Sequence, residues 1–257
     1  IPPVTLLALR YLVSIPALLL VLRLRRALKP VDRRDWPILF AIGFTGYFAS
    51  FCLQMLGIDR LTGSLSSLLG AMNPIFIPIL AALFLHERIT LAKIACVALS
   101  MLGVVVIVGV GGTADAAGVL MMLVSVFLWS TASIIIRRIS GRYDPMQIAL
   151  IAICCALPLT GAWSLIELQS AACSFSVQSV LAVLYMGIFG TAVTHSLWNY
   201  SLRVMDASFC SMFYPMQPLV SAILGVLFLH ETVTPSFILG ALMICGGIVA
   251  AVKSAPK

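Results

Sequence analysis

The chain has 257 residues, of which 61% are apolar and 10% charged, with a mean hydropathy of +1.12. A water-facing surface takes roughly a quarter of charged residues, so a soluble globular domain is excluded. The formal net charge of +7 is then a matter of where the cations fall, and their placement (below) reports membrane topology and not nucleic-acid binding.

A bilayer core needs ~20 consecutive mostly apolar residues per helix. Nine such runs are read, at 4–22, 36–57, 62–85, 90–110, 117–136, 145–166, 178–201, 207–229 and 234–252. They are too long for barrel strands and lack the period-2 alternation of an outer-membrane barrel. The first carries Arg10-Tyr11. The second places Tyr47, Ser50, Phe51 and Gln54 at the spacing of one helical stripe, and the third holds Asn73-Pro74 and ends before Glu87. The seventh repeats the stripe as Thr191, Thr194, His195 and Trp198. The eighth carries Tyr214 and Gln217-Pro218 and ends before Glu231.

Fourteen of the sixteen Lys and Arg residues fall at one set of alternate helix ends. Six of them, Arg23, Arg25, Arg26, Lys29, Arg33 and Arg34, share a single loop. The positive-inside rule makes that side, and with it the C-terminus, cytoplasmic. The expectation is a multi-pass protein of the cytoplasmic (inner) membrane.

The chain also repeats itself. Leu83-Phe84-Leu85-His86-Glu87 recurs as Leu227-Phe228-Leu229-His230-Glu231, and residues 36–108 lie over 180–252 without a gap, with 19 identities in 73 positions. The shared positions include Gly43/Gly187, Gly46/Gly190, Pro74/Pro218, Thr90/Thr234 and Gly103/Gly247, and Pro3 aligns with Pro145 at the start of a span. The first repeat is 1–110 and the second 111–257. The second begins with a span, 117–136, whose partner would lie upstream of Ile1, so five plus five helices are expected, the first preceding this sequence. An odd number of helices per repeat inverts the copies, and inverted repeats around a central site are a signature of secondary transporters.

The Arg-aromatic pair, the Pro in the middle of the fourth span of each repeat, the Glu closing it and the Gly late in the next span resemble the EamA-type transporters of the drug/metabolite transporter superfamily. The resemblance covers nearly the whole chain. It implies an all-α integral membrane fold of two inverted five-helix repeats, a central cavity and export of small metabolites, with amino-acid exporters among the family. His-Glu stands twice where Gly-Glu is commoner.

Polar residues within spans normally face the bundle interior. Tyr47, Gln54, Thr191, His195 and Trp198 are therefore candidates for substrate binding, joined by Asn73, Gln217 and Tyr214 around the prolines. Pro74 and Pro218 each remove a backbone donor and clash with the carbonyl four residues earlier, those of Gly70 and Tyr214, which marks them as hinges. Asn73 and Gln217 serve equally well as partners for the freed backbone. Arg10, two turns inside its span, could pair with a substrate carboxylate or snorkel to the outer interface and is read as structural; the glycines are read as packing positions, and Glu87 and Glu231 as corner-forming, with gates as the alternative.

No Asp or Glu lies in the middle of a span, so a carboxylate relay is not expected, and His195 is the one deep group that titrates near neutral pH. No Walker loop, GxSxG, HExxH or CxxC occurs, and the seven Cys suggest no disulfide framework, so neither enzyme, cofactor nor metal site is expected. The partners called for are a small-molecule solute, neutral or zwitterionic with an apolar body, and the lipid bilayer. A monomer suffices for such a fold, with larger assemblies left open. Readings from other classes are a passive channel, which would need a ring of charges or filter carbonyls, a purely structural membrane protein, and an importer of another solute.

Overall fold

A computed structural model describes residues 1–61, 63–108, 115–170, 176–220, 223 and 235–253. Glu231, Thr234 and Cys173 lie outside them. The elements are α1 (Pro3–Leu24), α2 (Trp36–Arg60), α3 (Gly63–Gly70), α4 (Asn73–Leu85), α5 (Leu91–Val108), α6 (Ala116–Ile139), α7 (Pro145–Ser170), α8 (Val177–Val204), α9 (Ala207–Ser211) and α10 (Pro235–Lys253), with a further helical stretch at 216–220. Every regular element among the described residues is helical. Six helical runs are long and apolar enough to span a bilayer, and Lys93–Val106 and Ile238–Ala250 are shorter apolar stretches. Large apolar side chains cover the outside, among them Leu20, Leu165, Leu181 and Leu242, as lipid contact requires.

Reciprocal contacts between the halves show how the repeats relate. A Cβ at Gly43 would lie 2.7 Å from Cys155 Cβ and 2.8 Å from the Ala152 carbonyl; at Gly187, the mate of Gly43, it would lie 2.6 Å from Val13 Cβ and 3.1 Å from the Arg10 carbonyl. Val13 and Arg10 stand as far beyond Pro3 as Cys155 and Ala152 stand beyond Pro145. Each contact therefore has its two-fold image. The same holds for α5 against α10: Gly103 meets the Gly240 carbonyl at 2.7 Å, and its mate Gly247 meets the carbonyl of Cys96, the mate of Gly240, at 2.9 Å. Along this pair one residue number rises as the other falls, so the mates are antiparallel and the repeats inverted. The small residues are what allow the backbones to approach this closely.

Side chains from one repeat close the helix ends of the other. Glu167, at the end of α7, accepts from the backbone N–H of Val4 (3.2 Å) and Thr5 (2.7 Å) and from the Thr5 hydroxyl (2.7 Å), so it caps α1. Glu87 does the same for α9, accepting from Ala207 N–H (2.9 Å), Ser208 N–H (3.1 Å) and Ser208 Oγ (2.6 Å). A carboxylate at a helix N-terminus also gains from the helix dipole. Glu87 thus does more than form a corner: it joins the two proline-broken spans. The backbone before it explains the His-Glu pair, because His86 sits in the left-handed region (φ 58°) where Gly is favoured and His is among the tolerated residues.

At the same cation-rich end, Arg137 donates to the carbonyls of Leu202 (2.8 Å) and Arg203 (3.0 Å) at the close of α8, and Arg142 pairs with the buried Asp35 at 2.6 Å.

Substitution tests the close approach. Gly187→Ala forces Val13 or its backbone to move and is expected to cost about 1–3 kcal/mol, lowering the melting temperature in detergent. Gly246→Ala, with no described atom within 4 Å of the added carbon, should not lower it.

Candidate substrate cavity

Two features shape the centre of the bundle. Both copies of the second span of the pair contain a wide turn: Gly43–Ser50 in α2 and Ile188–Val193 in α8 are π-helical. In such a turn the hydrogen bonds run five residues back, and here two side chains follow the same spacing: Thr191 Oγ1 donates to the Met186 carbonyl (3.0 Å) and Thr194 Oγ1 to that of Phe189 (2.7 Å). Wide turns of this kind are frequent at functional sites.

The second feature is the break at the prolines. Helix α3 stops at Gly70 and α4 starts at Asn73; in the other repeat α9 stops at Ser211, turns through 212–215 and resumes at 216–220. Asn73 Nδ2 donates to the Gly70 carbonyl (3.0 Å), the acceptor that Pro74 leaves unserved, and Asn73 Oδ1 accepts from Ser130 Oγ (3.2 Å). Asn73 therefore repairs the broken backbone while also forming part of the wall.

Between these features lies a cavity of about 530 Å³. From α2 come Ser50, Phe51, Gln54, Met55 and Ile58; from α6, Ser125, Val126 and Trp129; from α8, Gly190, Thr194, His195 and Trp198; from the broken spans, Gly70, Asn73, Cys210, Phe213, Tyr214 and Gln217; and from α1, Arg10. The aromatic rings touch one another: Trp129 and Trp198 at 6.4 Å between centroids, Trp198 and Tyr214 at 5.1 Å, Phe51 and Trp129 at 5.2 Å. Trp129 Nε1 donates to the Tyr214 hydroxyl and Trp198 Nε1 to Ser133 Oγ (3.2 Å), which fixes the indole planes. Gln54 and Gln217 line the space without side-chain hydrogen bonds of their own among the described residues. His195 is buried against Tyr47 (4.9 Å), Phe51 and Trp129, and its Nδ1 lies 2.9 Å from the Thr191 carbonyl. A carbonyl only accepts, so Nδ1 carries the proton.

Six of the eight residues expected to bind substrate, Gln54, Asn73, His195, Trp198, Tyr214 and Gln217, are brought to this wall. Tyr47 and Thr191 are not. Both are fully buried behind it, Tyr47 against the His195 ring and Thr191 as acceptor for Arg10 Nε at 3.1 Å. The π turns are the reason: an extra residue per turn rotates Tyr47 and Thr191 off the stripe that continues into Gln54 and Trp198. Gly190 is a correction in the other direction. It was expected to pack, yet its nearest neighbour to an added Cβ is Met186 at 3.9 Å, and it opens onto the cavity. Trp129 and Arg10 were absent from the expected site. Trp129 lies outside the overlay of 36–108 on 180–252, and nothing in one-dimensional spacing places Arg10 opposite α8.

The EamA-like transporter family model matches residues 1–109 and 116–253. The chain belongs to that family. It is a multi-pass membrane transporter. It is similar to an uncharacterized transporter of Archaeoglobus fulgidus (26% identical, covering 88% of this chain and 80% of the relative) and to the uncharacterized transporter YvbV of Bacillus subtilis (24%, 96% and 81%). It is also 27% identical to a probable terminal-alkyne amino-acid exporter of Streptantibioticus cattleyicolor, over 84% of this chain and 72% of that one. A solved crystal structure shares the fold with a TM-score of 0.85 at 22% identity, over 99% of this chain and 90% of the other.

The wall holds side chains that bond to the described protein, such as Trp198, and side chains that do not, such as Gln54. Gln54→Ala removes a polar group that nothing in the described protein uses, so transport should fall at least several-fold with the melting temperature unchanged. Trp198→Ala also removes the bond to Ser133 and the contacts with Trp129 and Tyr214, so it should lower both. Equal loss of folding in the two variants would make Gln54 a packing residue.

Proposed function

We propose that the protein exports small amino acids with apolar or aromatic side chains across the cytoplasmic membrane by alternating access. The observation that carries this reading is the cavity itself: enclosed by both repeats, walled by Phe51, Trp129, Trp198, Phe213 and Tyr214, and equipped with the free amides of Gln54 and Gln217. Aromatic faces favour an apolar body, amides take up polar ends, and the volume lies within the range of small-molecule sites. The relative named as a probable terminal-alkyne amino-acid exporter points to the same substrate class.

With the cation-rich ends placed in the cytoplasm, the Glu87 cap on α9 closes the cytoplasmic side. The cavity wall runs toward Met55 and Ile58, near the opposite ends of the helices, so the arrangement corresponds to the outward-facing state. The sequence carries the same pair in mirrored positions, Glu231 with Ser64 for Glu87 with Ser208. Exchange between two similar halves of opposite orientation then closes one end as it opens the other. Among the described residues no carboxylate lines the cavity, and transport is driven by the substrate's own gradient.

Counterflow into liposomes containing the protein is the test. Unlabelled phenylalanine or leucine inside should drive saturable uptake of the labelled amino acid, and lysine and glutamate should not. Linear, unsaturated flux would indicate a channel, and silence across the whole amino-acid panel would overturn the substrate class.

A second reading, proton coupling, is favoured by one residue, His195. Under the gradient-driven reading, His195→Gln should transport with the wild-type pH dependence between about pH 5.5 and 8, where an unperturbed His changes charge. Wild-type accumulation driven by an imposed pH difference alone would contradict that reading, and its loss in His195→Gln would assign the coupling to this residue.

A further inference from the structure

Among the described residues Arg10 is the one charged side chain in the cavity wall, and it is 8% exposed. Its recorded partners are neutral: Nε donates to Thr191 Oγ1 (3.1 Å) and Nη2 to the Gly190 carbonyl (3.4 Å). The ion pairs among the described residues involve Arg60, Arg137 and Arg142, not Arg10. A buried guanidinium without a counter-charge is costly. It also has five N–H donors in a planar fork, of which these two bonds engage only part.

The surroundings hold this fork in place. The π turn of α8 supplies both acceptors, Thr191 through its side chain and Gly190 through its carbonyl. Ser14, one turn along α1, donates to the Gly187 carbonyl at 2.8 Å. Arg10 and Gly190 line the cavity together. The two-fold mate of Arg10 is Ala152. The charge therefore has no two-fold counterpart, in a cavity whose aromatic rings lie on α2, α6, α8 and the broken span after α9.

From this geometry we propose that Arg10 binds the carboxylate of the transported solute, with the solute's apolar body against the contiguous rings of Trp129, Trp198 and Tyr214. The assignment rests on the amino-acid reading and sharpens it: the cavity selects a carboxylate on an apolar body, it has among the described residues no carboxylate of its own to hold an ammonium group, and it discriminates against amides and free amines. Bidentate Arg–carboxylate pairing supplies the geometric specificity.

The experiment is equilibrium binding to the purified full chain in detergent, followed by intrinsic tryptophan fluorescence, with four probes of one shape: phenylalanine, phenylalaninamide, 3-phenylpropionate and 2-phenylethylamine. Wild type should bind phenylalanine and 3-phenylpropionate, and both probes lacking the carboxylate roughly ten- to hundred-fold more weakly, the range for a hydrogen bond to a charged group. Arg10→Gln should bring phenylalanine down to the level of its amide and leave the amide unchanged; Arg10→Lys should keep part of the preference. Melting temperatures identify a variant that fails to fold, and the comparison of probes on wild type needs no variant. Equal binding of phenylalanine and its amide to wild type would overturn the role of Arg10 while leaving the amino-acid reading intact. Binding of 3-phenylpropionate that depends on Arg10, with no binding of phenylalanine, would keep the role and overturn the amino-acid reading. Absence of binding by all four would overturn both.

Discussion

Hydrocarbon contains no water to receive a backbone N–H or C=O, so a membrane helix can break only where the protein itself supplies the missing partner. Four irregular features among the described residues meet this constraint. The start of α1 is served by Glu167, that of α9 by Glu87, the carbonyl opposite Pro74 by Asn73, and the Gly187 carbonyl at the edge of the π turn by Ser14. In all these cases but Asn73 the partner comes from the other repeat. Breaks and their partners therefore collect where the two halves face each other, and the space they leave is the cavity.

The same constraint separates parts that hold from parts that can move. Where α5 meets α10, glycine lies against backbone in both directions, a contact of van der Waals type with no slack. At the broken spans the ties are instead polar and few. The three bonds of Glu87 are strong while made, because a carboxylate receives them at a helix N-terminus, but they join two helix ends and no extended face. A transition that released them would need another partner of equal quality, and the sequence repeats the glutamate as Glu231, the counterpart of Glu87.

Much of this is readable in the amino-acid order. Hydropathy runs locate the spans, the cations order the loops, and the gapless overlay of 36–108 on 180–252 implies the two-fold that Gly103 and Gly247 display in contact. Pro74 and Pro218 mark real breaks. The π turns are not readable, since no residue pattern distinguishes a turn of five from a turn of four in an apolar run. That one omission misplaces Tyr47 and Thr191, which an unbroken α-helix would have put beside Gln54 and Trp198. Arg10 fails for a different reason. Its depth in the span is legible, but whether it meets lipid, a partner helix or open space depends on α8, 180 residues away. His86 is an intermediate case: the exchange of Gly for His is visible, and its meaning requires the φ of 58°.

The central claim is that one cavity between inverted repeats is exposed to the two sides in turn, with Glu87 closing one of them. Spin labels at positions 88 and 206, on either side of the Glu87 contact, in a background with the native cysteines replaced, measure this opening by pulsed dipolar spectroscopy. The account predicts a short distance in the Glu87-capped state, a longer second population whose share changes with saturating phenylalanine, and a shift toward that population in Glu87→Ala. A single short distance, unmoved by substrate and by the loss of Glu87 alike, would contradict it.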